Sequence, residues 1–186
     1  MARLISGSAG GRRLATPPGR GTRPTSDRTR EALFSSLLSL CGAFEGLSFL
    51  DLYAGSGAVG LEAVSRGVGR VILVERDARA ARVIRQNVAA LSAAGVELVE
   101  SSVERFLERD PAAAGGCFDI VFLDPPYAEP VDTVLARLRA GGWLASGAIV
   151  CVERSSRDPA LSWPEGIEEL RSRRYGDSTL WYGRAS

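Results

Sequence analysis

The sequence predicts a doubly wound α/β fold, a mostly parallel sheet that finishes in an antiparallel hairpin. Three observations carry this expectation. Short apolar runs of strand length alternate with helix-periodic segments between residues 48 and 153, and strands alternating with helices imply a parallel sheet covered on both faces. The first of these strands runs directly into Gly55-Ser56-Gly57-Ala58-Val59-Gly60, a glycine turn between strand and helix that such folds use. Two runs near the C-terminus flank Gly176-Asp177, a two-residue hairpin signal.

The elements follow in order. Residues 1–25 hold short apolar pieces, Leu4-Ile5 and Leu14-Ala15, between glycines and prolines, which reads as a small basic arm or hairpin appended to a domain of residues 26–186. Ser26 or Asp27 can cap a helix whose Leu33, Phe34, Leu37, Leu38 and Cys41 share one face, ending near Gly42. Strands are then expected at 48–53, 70–75, 96–100, 118–124 and 148–153. Helices are expected at 58–65, 77–91, 103–109 and 131–140, and the terminal hairpin pairs 168–175 with 178–183.

Composition bounds the function. With 186 residues the chain suits one well-buried domain. The net charge of +1 hides an asymmetry. Arg3, Arg12, Arg13, Arg20, Arg23, Arg28 and Arg30 crowd the first thirty residues against the single acid Asp27, and the remainder is acidic. A basic arm on an acidic body points to a polyanionic partner. The chain has no His, which removes His-based triads, bases and metal sites. Cys41, Cys117 and Cys151 are far apart and form no C-x-x-C pair, so no metal is expected, and a reducing, cytoplasmic setting fits. The N-terminus has no apolar signal core, and no run reaches membrane-spanning length.

The glycine turn lets a backbone approach a ligand closely, and Glu75, ending the next strand, can bind ribose hydroxyls. Two cofactor classes use this arrangement. Asp51, four residues before Gly55, discriminates: an acid there repels a pyrophosphate but can pair with the ammonium of S-adenosylmethionine, directly or through water. The D-x-x-x-G-x-G spacing with a later strand-end acid resembles class I S-adenosylmethionine-dependent methyltransferases, a Rossmann-like fold. The resemblance places Asp51, Tyr53, Gly55, Gly57, Glu75 and Arg76 on the cofactor side. Ser102 and the Val103 N–H come at the end of the third strand, beside the adenine, where Ser102 can equally serve as a helix cap.

Asp124-Pro125-Pro126-Tyr127 closes the fourth strand. In doubly wound sheets ligands lie at the carboxyl edge, so this rigid corner faces the cofactor. The Asp124 carboxylate and the Pro125 carbonyl can accept both hydrogens of an exocyclic amine, and Tyr127 can stack on the base that carries it. The motif is of the (D/N/S)-P-P-(Y/F/W) type of amino-methyltransferases and leaves the base open: adenine, guanine, cytosine or glutamine.

Gly10-Gly11-Arg12-Arg13-Leu14, the string Arg23-Pro24-Thr25-Ser26-Asp27-Arg28-Thr29-Arg30-Glu31-Ala32-Leu33-Phe34, Asp51–Gly57 and Asp124–Tyr127, in that order, closely resemble the RsmD family. These are bacterial 16S ribosomal RNA guanine-N(2) methyltransferases. The resemblance implies one guanine of small-subunit ribosomal RNA as substrate, presented on a 30S subunit or assembly intermediate, and a monomer suits such docking. It implies that Arg12, Arg13 and Arg20 meet phosphates, with Arg23, Arg28 and Arg30 nearer the target base. The competing readings are an amino-methyltransferase of DNA, a non-catalytic RNA-binding assembly factor, and an NAD oxidoreductase, for which no proton relay is evident. Cytosine carbon-5 chemistry needs a Cys nucleophile that the corner lacks.

Overall fold

In the computed structural model, which describes residues 2–17, 26–126 and 130–186, seven strands form one sheet and a short hairpin packs on its flank. The hairpin pairs β1 (Ala2–Arg3) with β2 (Arg13–Leu14). Helix α1 (Asp27–Cys41) follows, then β3 (Ser48–Leu52), α2 (Ala58–Ser65), β4 (Arg70–Glu75), α3 (Ala78–Leu91), β5 (Val96–Glu100) and α4 (Val103–Leu107). A 3₁₀ turn at Pro111–Ala114 leads to β6 (Phe118–Leu123), α5 (Val131–Ala140), β7 (Leu144–Ser155), β8 (Ile167–Tyr175) and β9 (Ser178–Ala185).

The strand order is β5-β4-β3-β6-β7-β9-β8, parallel as far as β7 and antiparallel beyond. The order reverses between β3 and β6, so a crevice opens at their carboxyl ends, the place where such sheets bind ligands. The helices divide accordingly. Side chains of α1, α2 and α3 share one core cluster with Phe49, Leu73, Phe122 and Tyr182, while those of α4 and α5 share another with Leu50, Ile72, Val121 and Trp143. Every residue of β3 is buried, as expected of a central strand covered on both faces.

Local chemistry sets the boundaries. Ser26 caps α1 by accepting the Thr29 N–H at 3.0 Å, and Gly42 ends it at φ +81°. Asp77, expected inside the third helix, instead caps α3, accepting from the Arg79 and Ala80 N–H groups. β7 starts four residues earlier than the apolar run 148–153 and ends two later, because pairing with β6 and β9 recruits polar residues that a periodicity reading omits. The terminal hairpin turns at Gly176-Asp177 as expected, with Tyr175 paired to Ser178.

The described part of the arm is docked. Leu4 and Leu14 are 1% and 2% exposed and pack on Ala58 and Leu61 of α2. Glu62, fully buried in the otherwise mostly apolar α2, accepts the Ile5 and Ser6 N–H groups at 2.7 and 3.0 Å and pairs with Arg66 at 2.7 Å. Asn87 of α3 completes the attachment: its carboxamide exchanges two hydrogen bonds with the Ala15 backbone and donates a third to the Ser56 carbonyl in the glycine turn. The chain therefore leaves the hairpin beside the crevice.

Candidate active site

The crevice is built from strand ends. At the end of β3, Tyr53 adopts φ +66°, uncommon for a bulky residue, and Gly55 and Gly57 follow at +58° and +76°. Such a concentration of left-handed backbone is characteristic of functional turns. Gly60 is needed for a different reason. A Cβ there would sit 2.2 Å from a Leu73 methyl and 3.3 Å from the Asp51 carboxylate, so its absence lets α2 press against β3 and β4. The Gly60 N–H then donates to Asp51 Oδ2 at 2.9 Å.

Asp51 is 1% exposed. Burial raises its pKa to about 7; the Gly60 hydrogen bond works against that shift and the nearby Glu75 adds to it. Glu75 braces the turn itself: Oε2 accepts the Gly55 N–H at 2.7 Å and Oε1 the Asp77 N–H at 2.8 Å. Each carboxylate oxygen keeps a second lone-pair site for a ligand hydroxyl. Arg76 is exposed next to it. Across the crevice Ser102 caps α4, accepting from the Arg105 N–H at 3.3 Å, with Val103 buried behind it. The cap uses one acceptor site of the hydroxyl and leaves its proton for another partner.

Asp124 follows β6 and is half-buried. The register pairs Leu123 with Val152 of β7 and with Leu52 of β3, which places Asp124 level with Glu153 on one side and Tyr53 on the other. Burial pushes its carboxyl well above the usual carboxylate range; Glu153 and Asp51 push further and Arg154 opposes them. Pro125 is buried and Pro126 exposed. Tyr127 lies outside the described residues.

Glu153, 7% exposed, was missed by the sequence reading. Its signal was available: β4, β5 and β7 each close on Glu75, Glu100 and Glu153, and Asp124 follows β6. Asp51, Glu75, Asp124 and Glu153 thus converge on one edge. That edge repels phosphate and attracts a cation, as a sulfonium- and ammonium-bearing cofactor requires.

The arginines divide. Arg12, Arg13 and Arg28 are exposed, Arg12 donating to the Ala90 carbonyl at 2.6 Å. Arg20 and Arg23 lie outside the described residues. Arg30 is a correction. It is 0% exposed, bonded to Asp27 at 2.9 Å and to the Arg3 carbonyl, with Glu62 at 3.8 Å, so in this structure it ties the hairpin to α1 and α2 and does not face a base. Its spacing from Leu33, Phe34 and Leu37 already put it on the apolar face of the helix.

Comparison with known proteins agrees with this geometry. The family model described as conserved hypothetical protein 95 matches residues 2–184. Ribosomal RNA small subunit methyltransferase D of Escherichia coli K12 is 38% identical over 152 residues, 81% of this chain and 73% of that protein. The chain belongs to the RsmD family. The protein of the same name from Haemophilus influenzae is 33% identical over 177 residues, 94% of this chain and 89% of that protein. The solved structure of yhhF from Escherichia coli, described as a candidate methyltransferase, superimposes with a TM-score of 0.86 at 32% identity, covering 100% of this chain and 98% of that one. Membership of the RsmD family gives the Rossmann-like methyltransferase fold, and the hairpin belongs to the matched region.

Proposed function

We propose that this RsmD-family protein transfers a methyl group from S-adenosylmethionine to the exocyclic 2-amino group of one guanine in small-subunit ribosomal RNA. The acceptor is a 30S subunit or an assembly intermediate, the enzyme acts as a monomer, and its setting is the cytoplasm. The observation that carries the reading is the placement of Asp124 at the sheet's switch point, beside Asp51 and Glu153 and across from the glycine turn.

The residues present suit the cofactor. Asp51 faces its ammonium, Glu75 and Ser102 offer groups to its ribose and adenine, and the left-handed turn at Tyr53–Gly57 gives it backbone access. When bound, S-adenosylmethionine supplies an electrophilic methyl group. The protein's own residues then hold the acceptor. An aromatic amine is a poor nucleophile because its lone pair is delocalised into the ring. Ionised Asp124 and the Pro125 carbonyl accept its two hydrogens, which draws the nitrogen toward tetrahedral geometry and aims the lone pair at the methyl. Positioning of this kind supplies much of the acceleration. Asp124 and Pro125 are the catalytic residues, Pro126 stiffens the corner, and Tyr127 stacks on the base.

Ionisation of Asp124 couples the two substrates. The same burial and acidic neighbours that raise its pKa in the free protein are offset by a cofactor cation in the crevice. The carboxylate becomes an acceptor when the methyl donor is in place.

Guanine is favoured by the relatives' activity toward ribosomal RNA and by the exposed Arg12, Arg13 and Arg28 along the arm. A splayed-out RNA base can be stacked and read in such a crevice. The test is methyl transfer from labelled cofactor to small subunits lacking the modification, with naked RNA and duplex DNA as competing acceptors. Transfer confined to DNA, or none to any acceptor while cofactor binds, contradicts the proposal.

The arm carries its own expectation. Arg12→Ala with Arg13→Ala reduces the slope of log affinity against log salt by about 2 units, about 0.9 for each lost phosphate contact. Filter binding over a salt series measures it, and an unchanged slope makes the hairpin a purely structural attachment.

A further inference from the structure

The edge strand β8 segregates its charge. Glu168 and Glu169 lie at its start, and Arg173 and Arg174, both exposed, lie at its end. The pairing of Ser155 with Ser178, and of Tyr175 with Ser178, puts that basic end at the carboxyl edge of the sheet, level with the end of β7. Arg157, exposed in the turn after β7, joins it there, because the Ser156 N–H donates to the Asp177 carbonyl at 2.8 Å. Arg171, further from the edge, is occupied with the Ser36 carbonyl and the Tyr182 ring and belongs to the fold. Charge on an edge strand guards against edge-to-edge pairing, but that purpose does not require the basic residues to gather at one end.

We infer that Arg157, Arg173 and Arg174 form a second phosphate-binding surface, which takes the RNA backbone on the side of the crevice opposite the N-terminal hairpin. The inference rests on the proposed RNA substrate. The hairpin packs on α2 and α3, over the β3–β5 half of the sheet. The β8–β9 turn lies three strands beyond β6 in the other direction, ~14 Å at ~4.8 Å per strand. Between the two basic patches lies the acidic edge of Asp51, Asp124 and Glu153. Phosphates are drawn to both flanks and repelled from the middle, so a strand bound across the site presents its base, and not its backbone, to Asp124. Arg174 is partly preset, its Nε donating to the Gly176 carbonyl at 3.1 Å and leaving the rest of the guanidinium fork outward.

The test uses the full chain and small subunits that lack the modification. Arg157→Gln, Arg173→Gln and Arg174→Gln together raise KM for subunits about tenfold or more and reduce the salt slope by about 2–3 units, with cofactor affinity and melting temperature unchanged. Glu168→Gln with Glu169→Gln, at the far end of the same strand, is the control and leaves KM unchanged. If the triple variant melts early, Arg157→Gln alone, in the turn, decides by a salt slope lower by about 1. Unchanged KM and slope, or an equal effect from the glutamate control, overturns the inference. Should the wild-type protein fail to methylate or bind any RNA, the proposed substrate fails first, and the two failures are distinguishable.

Discussion

Asp124→Ala lowers methyl transfer by about 10²–10⁴-fold, the range associated with a positioned acid–base group, while cofactor affinity stays within about threefold and the cofactor-free protein melts at a higher temperature. The combination discriminates a catalytic residue from a structural one. Asp124 sits where burial, Glu153 and Asp51 all disfavour its charge. Its folded-state pKa is raised above that of the unfolded chain. The stability associated with it is therefore fully present below the usual carboxylate range and is lost as pH rises through the higher folded value. Removing the carboxyl abolishes that loss, so the gain in melting temperature grows with pH. Strain of this kind is retained at sites where function needs it. Single-turnover transfer, isothermal titration with cofactor and thermal melts at several pH values measure the three quantities. An active Asp124→Ala protein, or one that melts early, removes Asp124 from the catalytic role.

Asp51 gives the second large effect. Its pKa of about 7 in the free protein means that half of the molecules carry a neutral Asp51 near neutral pH, and a cationic ligand selects the ionised form. Cofactor affinity accordingly falls about tenfold for each pH unit below about 7 and levels off above it. Asp51→Asn retains an acceptor for the Gly60 N–H but not the charge. The variant binds cofactor about 10–100-fold more weakly, corresponding to a hydrogen bond to a charged group, and its affinity loses most of the pH dependence. The stability sign is the same as for Asp124. The unfolded Asp51 ionises near 3.8 and the folded one near 7, so wild type loses stability relative to Asp51→Asn as pH rises from about 4 to about 7. Cofactor titrations between pH 6 and pH 8 check this, and an Asp51→Asn protein with the wild-type profile refutes it.

The sheet was legible because each of its parallel strands is a short apolar run closed by turn chemistry, and because Ser26, Gly42 and Gly176-Asp177 mark their boundaries locally. The glycine turn and the Asp124 corner were legible for the same reason: their geometry is written in contiguous residues. What depended on distant partners was not. Arg30 reads as one more arginine in a basic stretch until Glu62, in another helix, is seen beside it. Leu4 and Leu14 look like fragments of a loose arm until α2 supplies the surface that buries them. Asn87 has no local signal at all; its three hydrogen bonds run to residues 31 and 72 positions away. Glu153 lay in plain view as a strand-end acid, and only the order in which β6 and β7 pair shows that it shares a site with Asp124.

The central claim is that the corner after β6 presents a guanine 2-amino group to a bound methyl donor. Its most direct measurement is the identity of the methylated nucleoside released from small-subunit RNA after reaction with labelled cofactor. The account predicts that the label appears as 2-methylguanosine, at one position per subunit, and disappears with Asp124→Ala. Label in any other nucleoside, or 2-methylguanosine formed undiminished by the Asp124→Ala protein, contradicts it.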